Sequence, residues 1–342
     1  MSNLESKLAT LPNLTEGDFQ IENFQFTSGE CLPQLRIHYS TVGYPKRDSI
    51  GNISNAVLLI HNTSGGSTSW LLPSLANELF TDAQPLDASK YFLIIPDSIG
   101  FGQSSKPSDG LRSRFPHYRY ADAVHAQYRL ITAHFGITHL RLIVGISMGG
   151  MHAWMWAGMY SDFMDAIVPI ASQPTPLSGR NWIQRRILIE AIRRDPDWNN
   201  GDYKKNPSQY VYTAPITAIM TESVVRLQAM APTRNSADAL YENFVEQAKK
   251  RDANDLLYAM ESGMDYDPSD LLTSIKAHVL AINFADDAVN PPELEVVDRA
   301  IRIMPKAKYR LIRGSNTRGH YTCLDGVVWK PELAELMGRL DP

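Results

Sequence analysis

The sequence RLIVGISMGGMHAWMWAGM, residues 141–159, joins an apolar, strand-like run to a helix-like run through a turn of small residues. Within it, Ser147 lies between Gly145 and Gly149, and Gly150 extends the region without bulky side chains. A sharp strand-to-helix turn needs such neighbours, because its central residue has a strained backbone and projects its side chain away from the sheet. The pattern therefore predicts a reactive serine hydroxyl at the end of a buried strand.

Further strands and helices alternate on both sides of this turn. Short, continuous apolar runs are typical of strands that are buried on both faces of a parallel sheet. Residues 19–41 instead alternate apolar and polar side chains around Ser-Gly-Glu, which predicts an antiparallel hairpin at the sheet edge. We expect an α/β fold with a mostly parallel central sheet flanked by helices. The predicted strands are Ala56–His61, Tyr91–Pro96, Leu140–Val144, Ala166–Ala171, Val279–Phe284 and Tyr309–Ile312, with helices over Tyr120–Phe135 and Gly149–Met159.

Residues 173–272 differ from the rest of the chain because they contain no convincing strand-like run. Trp182–Arg193 and Ala237–Lys250 are amphipathic, and prolines interrupt the segment repeatedly. We therefore predict a core formed by residues 1–172 and 273–342, with a helical lid inserted between its two parts.

Several side chains of this insertion admit two interpretations. Its large apolar residues fit either the wall of a substrate pocket or internal packing of the insertion. Its paired arginines fit a solvated helix face better than an anion-binding site. The apolar residues are Trp182, Trp198, Met220 and Met230, and the pairs are Arg185-Arg186 and Arg193-Arg194.

A serine nucleophile needs a base that takes its proton and a carboxylate that orients the base. In chain order, both partners are expected in loops after later strands. His320 follows the last predicted strand, and Asp286 and Asp287 follow the strand before it. Asp287 is the preferred acid because the spacing Asp-x-x-x-Pro places it in the turn, whereas Asp286 adjoins the strand. We predict that Ser147, Asp287 and His320 are catalytic.

An acyl group that is attacked by serine passes through an oxyanion, which backbone N–H groups stabilise. The amide of Met148 is the first candidate donor. The second is expected in the loop HNTSGG, residues 61–66, where we favour Thr63 over Asn62. The glycine-rich loop DSIGFGQS, residues 97–104, lacks the spacing of a phosphate-binding loop, so we expect a structural turn there.

Charge and composition exclude several classes of partner. The chain has 342 residues and a formal net charge of -4, which provides no attraction to nucleic acid or to an anionic membrane. No apolar run reaches the ~18 residues of a spanning helix, and the first residues are too polar for a secretory signal. We therefore expect a cytoplasmic protein, with a periplasmic or secreted location as the alternative if a signal peptide precedes the numbered chain.

Metal and cofactor sites are not expected. No metal-ligand spacing occurs, and Cys31 and Cys323, which form one disulfide or remain thiols, are far apart in the chain. The other histidines lie away from the end of the last strand. Among them, His61 and His152 flank the predicted catalytic loops and fit roles in packing or hydrogen bonding.

Taken together, the motifs resemble the α/β-hydrolase superfamily and, within it, the homoserine O-acetyltransferase-like branch. The resemblance extends through most of the chain and implies a triad of Ser147, Asp287 and His320, oxyanion donors at Met148 and Thr63, and a helical lid that often contributes to a homodimer interface. It is carried by NAVLLIHNTSG (55–65), VGISMGGMHAWMWA (144–157), DPDWNNGDY (195–203), DDAVNPP (286–292) and GHYT (319–322).

Two positions depart from the acetyltransferases of that branch. Those enzymes carry an aspartate directly after the catalytic histidine, for the amino group of homoserine, and a lid arginine for its carboxylate. This chain has Tyr321 and Ala214 at the matching positions. We therefore predict a serine hydrolase of small-molecule carboxylic esters, amides or lactones that works through an acyl-serine intermediate. The alternative is an acyltransferase that moves an acyl group from acetyl-CoA to an alcohol such as homoserine.

Overall fold

The computed structural model describes residues 11–314 and 316–340 of the chain. Its strands are β1 (Thr15–Gln25), β2 (Cys31–Val42), β3 (Ala56–Ile60), β4 (Phe92–Pro96), β5 (Leu140–Ile146), β6 (Met164–Ile170), β7 (His278–Phe284) and β8 (Ala307–Ile312). They form one eight-stranded sheet in the order β1-β2-β4-β3-β5-β6-β7-β8. β2 is antiparallel to β1 and to β4, and the other neighbouring pairs are parallel. The predicted mostly parallel sheet is confirmed.

The helices that flank this sheet explain why its strands are apolar throughout. Along β3, Leu58 packs into one buried cluster with Trp154, while the next residue, Leu59, packs into a second cluster with Trp329. Both faces of the sheet are therefore covered. The helices are α1 (Pro73–Leu79), α2 (Tyr120–Arg129), α3 (Met148–Met159), α4 (Gly179–Arg193), α5 (Ala214–Thr221), α6 (Val224–Met230), α7 (Arg234–Ala248), α8 (Ala253–Glu261), α9 (Val296–Ile301) and α10 (Gly326–Leu340).

The N-terminal hairpin lies at one edge of the sheet, as its alternating pattern predicts. Phe19 pairs with Ile37 across β1 and β2, and the hairpin extends beyond the predicted range to Thr15 and Val42. On β1, the more buried side chains alternate with exposed ones because only one face of this strand is covered.

The long connection between β6 and β7 contains the five helices α4 to α8. Residues 171–277 are all described, and they contain no strand. The two stretches predicted as amphipathic, Trp182–Arg193 and Ala237–Lys250, fall largely within α4 and α7. The exact bounds of a lid, residues 173–272, stay a prediction, and this segment is called the insertion below.

Candidate active site

Ser147 occupies the turn between β5 and α3 in a strained backbone conformation. Its φ is 55° and its ψ is -114°, a combination that residues with a side chain rarely adopt. The backbone packs tightly around this turn. A Cβ on Gly145 would lie 2.0 Å from the carbonyl oxygen of Gly149, and a Cβ on Gly149 would lie 2.2 Å from that of Ile60. The glycine spacing seen in the sequence therefore has a steric cause.

The structure brings Ser147, His320 and Asp287 together in one chain of hydrogen bonds. The Oγ of Ser147 lies 2.8 Å from Nε2 of His320, and Nδ1 of His320 lies 2.9 Å from Oδ2 of Asp287. A carboxylate can only accept hydrogen bonds, so Nδ1 of His320 carries the ring proton and donates a hydrogen bond to Asp287. Nε2 is then the acceptor for the hydroxyl of Ser147. His320 and Asp287 are only 6% and 2% exposed.

The two adjacent aspartates have different partners. Oδ1 of Asp287 accepts hydrogen bonds from the N–H groups of Val289, at 2.8 Å, and Asn290, at 3.0 Å. Asp286 instead accepts one from the N–H of Gly319, at 2.9 Å. Asp287 thus contacts the imidazole itself, and Asp286 contacts the loop that carries it.

Asn290 is a further member of this arrangement that the sequence patterns did not predict. Its Nδ2 donates to the carbonyl oxygen of Ala171, at 2.8 Å, and lies 3.4 Å from both Oδ2 of Asp287 and Nδ1 of His320. The first bond ties the loop after β7 to the end of β6. The available signal was the sequence Asn-Pro-Pro, since asparagine side chains often bond neighbouring backbone in turns.

The predicted oxyanion donors lie at the ends of two neighbouring strands. Met148 is the first residue of α3, and N–H groups in the first turn of a helix have no partner within the helix. Thr63 lies in the loop after β3 and lines the same cavity as Ser147. The side chain of the competing residue, Asn62, is engaged with two serine hydroxyls of its own loop. Both donor roles stay predictions.

Two buried histidines lie close to the site without joining the hydrogen-bond chain. Nε2 of His61 accepts from the N–H of Ser98, at 2.9 Å, so its Nδ1 donates to the carbonyl oxygen of Asn62, at 2.7 Å. Burial lowers the pKa of His61. His152 has no hydrogen-bond partner among the described residues. Its burial, with His61 nearby, lowers its pKa to about 3. Both rings are therefore neutral and act in packing and loop geometry.

The glycine-rich loop 97–104 folds around the carboxylate of its first residue, Asp97. Oδ2 of Asp97 accepts from the N–H of Gln103, at 2.7 Å. A Cβ on Gly102 would lie 2.0 Å from the same oxygen. Since a buried carboxylate repels phosphate, these contacts favour the structural turn expected from the sequence.

A cavity of about 300 Å³ opens at Ser147, within the size range of small-molecule sites. Core loops and the insertion both contribute to its walls. Tyr321 and Ala214, the two positions that depart from the acetyltransferases, lie on these walls.

The insertion side chains that were candidates for the pocket wall do not line this cavity. Trp198 packs against the main core cluster and donates its indole N–H to Asn254, and Met230 is 43% exposed at the end of α6. Trp182 and Met220 are also absent from the walls. Leu188, Val211, Leu256 and Met260 supply the apolar surface in their place.

One arginine that was expected on a solvated face is buried. Arg186, Arg193 and Arg194 form ion pairs with glutamates, as a solvated helix face predicts. Arg185 is only 6% exposed and lines the cavity. The prediction is wrong for this residue, because α4 packs against α8 with Arg185 on the inner side.

Several other features of the described chain bear on cofactors and location. In residues 11–314 and 316–340, no group of three or more His, Cys, Asp or Glu side chains is placed to hold a metal ion. Cys31 is exposed, Cys323 is buried, and both are free. None of the described helices combines the length and the apolar character that crossing a bilayer requires.

The class of the protein follows from this fold and site. A mostly parallel sheet with a serine on a strained strand-to-helix turn is the architecture of the α/β hydrolases. Residues 55–326 match the model of the alpha/beta hydrolase fold family, and the chain belongs to this family. Within it, the relatives place the chain in the homoserine O-acetyltransferase-like branch.

The relatives carry both hydrolase and transferase names. A probable acyltransferase of Methanothermobacter thermautotrophicus is 28% identical over 85% of this chain and 88% of its own length. A homoserine O-succinyltransferase of Magnetococcus marinus is 31% identical over 79% of this chain and 72% of its own length. The crystal structure of an acetylester hydrolase from Corynebacterium glutamicum superposes with a TM-score of 0.83 at 23% identity, covering 95% of this chain and 96% of that one. The chain is thus an α/β hydrolase whose relatives act on esters or acyl groups.

Proposed function

We propose that this protein is a serine hydrolase of carboxylic esters, with amides or lactones as further substrates of the same chemistry. The observation that carries the proposal is the hydrogen-bond chain from Ser147 through His320 to Asp287, whose serine end opens into the cavity. A serine hydroxyl paired with an oriented imidazole is the arrangement that acyl transfer requires.

The geometry supports a two-stage reaction. Oγ of Ser147 attacks the ester carbonyl carbon while Nε2 of His320 takes the hydroxyl proton, and Asp287 stabilises the resulting imidazolium. The N–H groups of Met148 and Thr63 stabilise the oxyanion, at about 3 kcal/mol for one donor. The alcohol leaves with the proton from His320. Water then attacks the acyl-serine, His320 takes its proton, and the free acid departs.

The composition of the cavity wall favours water over homoserine as the acceptor. The position after His320 is Tyr321, and Ala214 stands where the acetyltransferases have an arginine. Each lost charge-assisted hydrogen bond costs about 1.5–3 kcal/mol. Without these two bonds, homoserine loses most of its positional advantage over bulk water, so the acyl-enzyme is hydrolysed.

An O-acyltransferase is the second candidate, because two relatives with acyltransferase names extend over most of this chain. The same three residues would serve, with an alcohol in place of water and acetyl-CoA as the acyl donor. The two functions differ in the fate of the acyl-enzyme and therefore in the product.

The test uses both kinds of substrate. A fluorophosphonate probe should label the wild type and leave Ser147→Ala unlabelled, because the serine alone is activated by His320. Activated acetyl and butyryl esters should be hydrolysed, and acetyl-CoA should give little thiol release with or without homoserine. Saturable formation of O-acetylhomoserine would identify the transferase instead.

Four further features belong to this proposal. The insertion, residues 173–272, acts as a lid on a core of residues 1–172 and 273–342. The partners are small-molecule esters, and neither nucleic acid nor a membrane takes part, in keeping with the charge of -4. No cofactor is needed by the mechanism. The free cysteines fit the reducing cytoplasm.

A homodimer formed through the insertion is also proposed. Ile219 on α5 and Val224 and Val225 on α6 are 64%, 83% and 80% exposed. Burial of such apolar side chains stabilises an interface by about 25 cal/mol for each Å² of surface that is removed from water. A second copy of the chain that covers them would supply this gain.

A further inference from the structure

The cavity at Ser147 contains two arginines and no acidic wall residue. Among the residues that the structure describes, no aspartate or glutamate lines the cavity, whereas Arg185 and Arg251 do. The carboxylate of Asp287 pairs with His320 and is only 2% exposed. The wall therefore presents more positive than negative charge to a bound molecule.

The donors of Arg185 are used by neutral groups of the protein. Its guanidinium donates to Oδ1 of Asn181, at 3.2 Å, the carbonyl oxygen of Met260, at 3.1 Å, and the hydroxyl oxygen of Tyr120, at 3.2 Å. These bonds fix the side chain and leave its charge without a counter-ion. Arg185 thus contributes positive potential, while the protein already holds three of its five N–H donors.

Arg251 has donors to spare. Of its five N–H groups, only one on Nη2 reaches a described acceptor, the carbonyl oxygen of Thr63, at 3.4 Å. The nearby carboxylates of Asp252 and Asp255 are engaged by a tyrosine and a serine hydroxyl. Arg251 is an exposed residue, and although desolvation by the surrounding protein lowers its pKa, a guanidinium stays charged at neutral pH. A cation with unused donors therefore borders the loop that carries the predicted oxyanion donor.

We propose that Arg251 binds a carboxylate on the substrate, and that the enzyme prefers anionic esters, either monoesters of dicarboxylic acids or acyl esters of hydroxy acids. A guanidinium can donate two parallel hydrogen bonds to such a group. This inference rests on the proposed function and leaves its chemistry unchanged: the acyl–oxygen bond breaks, and water supplies the new oxygen. Because no described wall residue is acidic, the ammonium of an amino acid finds no counter-ion, so the preferred substrate is a monoanion.

Paired substrates that differ only in charge test the proposal. Monoethyl succinate is compared with its amide, ethyl succinamate, to place the carboxylate on the acyl side. 3-Acetoxypropanoate is compared with 3-acetoxypropanamide to place it on the alcohol side. The quantity measured is the ratio of kcat/KM for anionic and neutral partners, in the wild type, Arg251→Gln, Arg251→Lys and the surface control Arg186→Gln.

In one of the two pairs, the wild type should favour the anion, and Arg251→Gln should lower that ratio about 10- to 100-fold, mainly through KM, as the loss of a charged hydrogen bond predicts. Arg251→Lys should retain part of the preference, and Arg186→Gln all of it. Equal losses on both members of a pair would show that Arg251 only supports the Thr63 loop, and would overturn the proposal. So would a wild type without charge preference in either pair.

A binding experiment separates this proposal from the proposed function. Ser147→Ala, which lacks the nucleophile, should bind monoethyl succinate or 3-acetoxypropanoate more tightly than the matching amide in calorimetry, and the added change Arg251→Gln should remove the difference. If the wild type hydrolyses no ester but this binding preference is found, the carboxylate site stands and the hydrolase proposal falls. If esters are hydrolysed but binding shows no preference, the reverse holds.

Discussion

At the scale of single residues, two adjacent aspartates differ in their contacts, and only one of them reaches the imidazole of the proposed triad. Asp287 reaches Nδ1 of His320, whereas Asp286 reaches the N–H of Gly319. Asp287→Asn should lower kcat by about ten-thousandfold, the effect of the corresponding change in a serine protease, because the amide favours the wrong imidazole tautomer. Asp286→Asn should cost much less. Steady-state hydrolysis of an activated ester measures both, and a larger loss for Asp286→Asn would reverse the assignment.

His152 gives a second prediction at this scale, for stability rather than activity. Its pKa of about 3 in the folded protein lies below the ordinary histidine value of 6.5, so the unfolded chain binds more protons between these values. The free energy of unfolding should therefore fall as pH drops below 6.5, by up to about 1.4 kcal/mol per pH unit from this group. His152→Phe should reduce this slope in urea denaturation series at pH 5 to 7. Identical slopes would show that His152 does not titrate on unfolding.

At the scale of elements, the helix α3 needs a glycine at position 149, whereas the helix α10 does not need the glycine at position 338. A Cβ on Gly149 would lie 2.2 Å from the backbone of β3, whereas one on Gly338, in α10, meets nothing within 4 Å. Gly149→Ala should therefore destabilise the fold by several kcal/mol, since backbone must move. Gly338→Ala should stabilise it by about 0.5–1 kcal/mol through helix propensity. Urea denaturation compares the two, and equal stabilities would contradict the steric argument.

The elements also show what the sequence could and could not predict. The core strands were predictable because burial on both faces requires continuous apolar runs, and Ser147 because only glycine fits beside it. Arg251 and Asn290 were not predictable from local patterns. The place of Arg251 depends on how α7 and α8 pack above the cavity. The sequence pattern of the insertion does not indicate which of its residues face Ser147.

At the scale of the whole molecule, the exposed apolar residues of α5 and α6 predict the oligomeric state. The wild type should elute as a dimer with a light-scattering mass of twice 38.3 kDa. Val224→Asp combined with Val225→Asp should shift it to a monomer, because two buried charges would oppose association. Thermal unfolding of the variant controls for misfolding. Both substituted positions are exposed in the single chain, so the variant should still unfold cooperatively. A monomeric wild type at micromolar concentration would contradict the prediction.

The connection between β6 and β7 has a consequence for how such a chain diversifies. Ser147 precedes it, and Asp287 and His320 follow it, so all three residues of the proposed triad lie outside residues 171–277. Arg185 and Arg251 lie within it. The connection between β6 and β7 can change in length at small entropic cost, since closing a longer loop adds only about 0.6 kcal/mol per doubling of its length. Mutation or recombination in this one continuous stretch can therefore change the proposed substrate preference while leaving the residues of the proposed triad untouched.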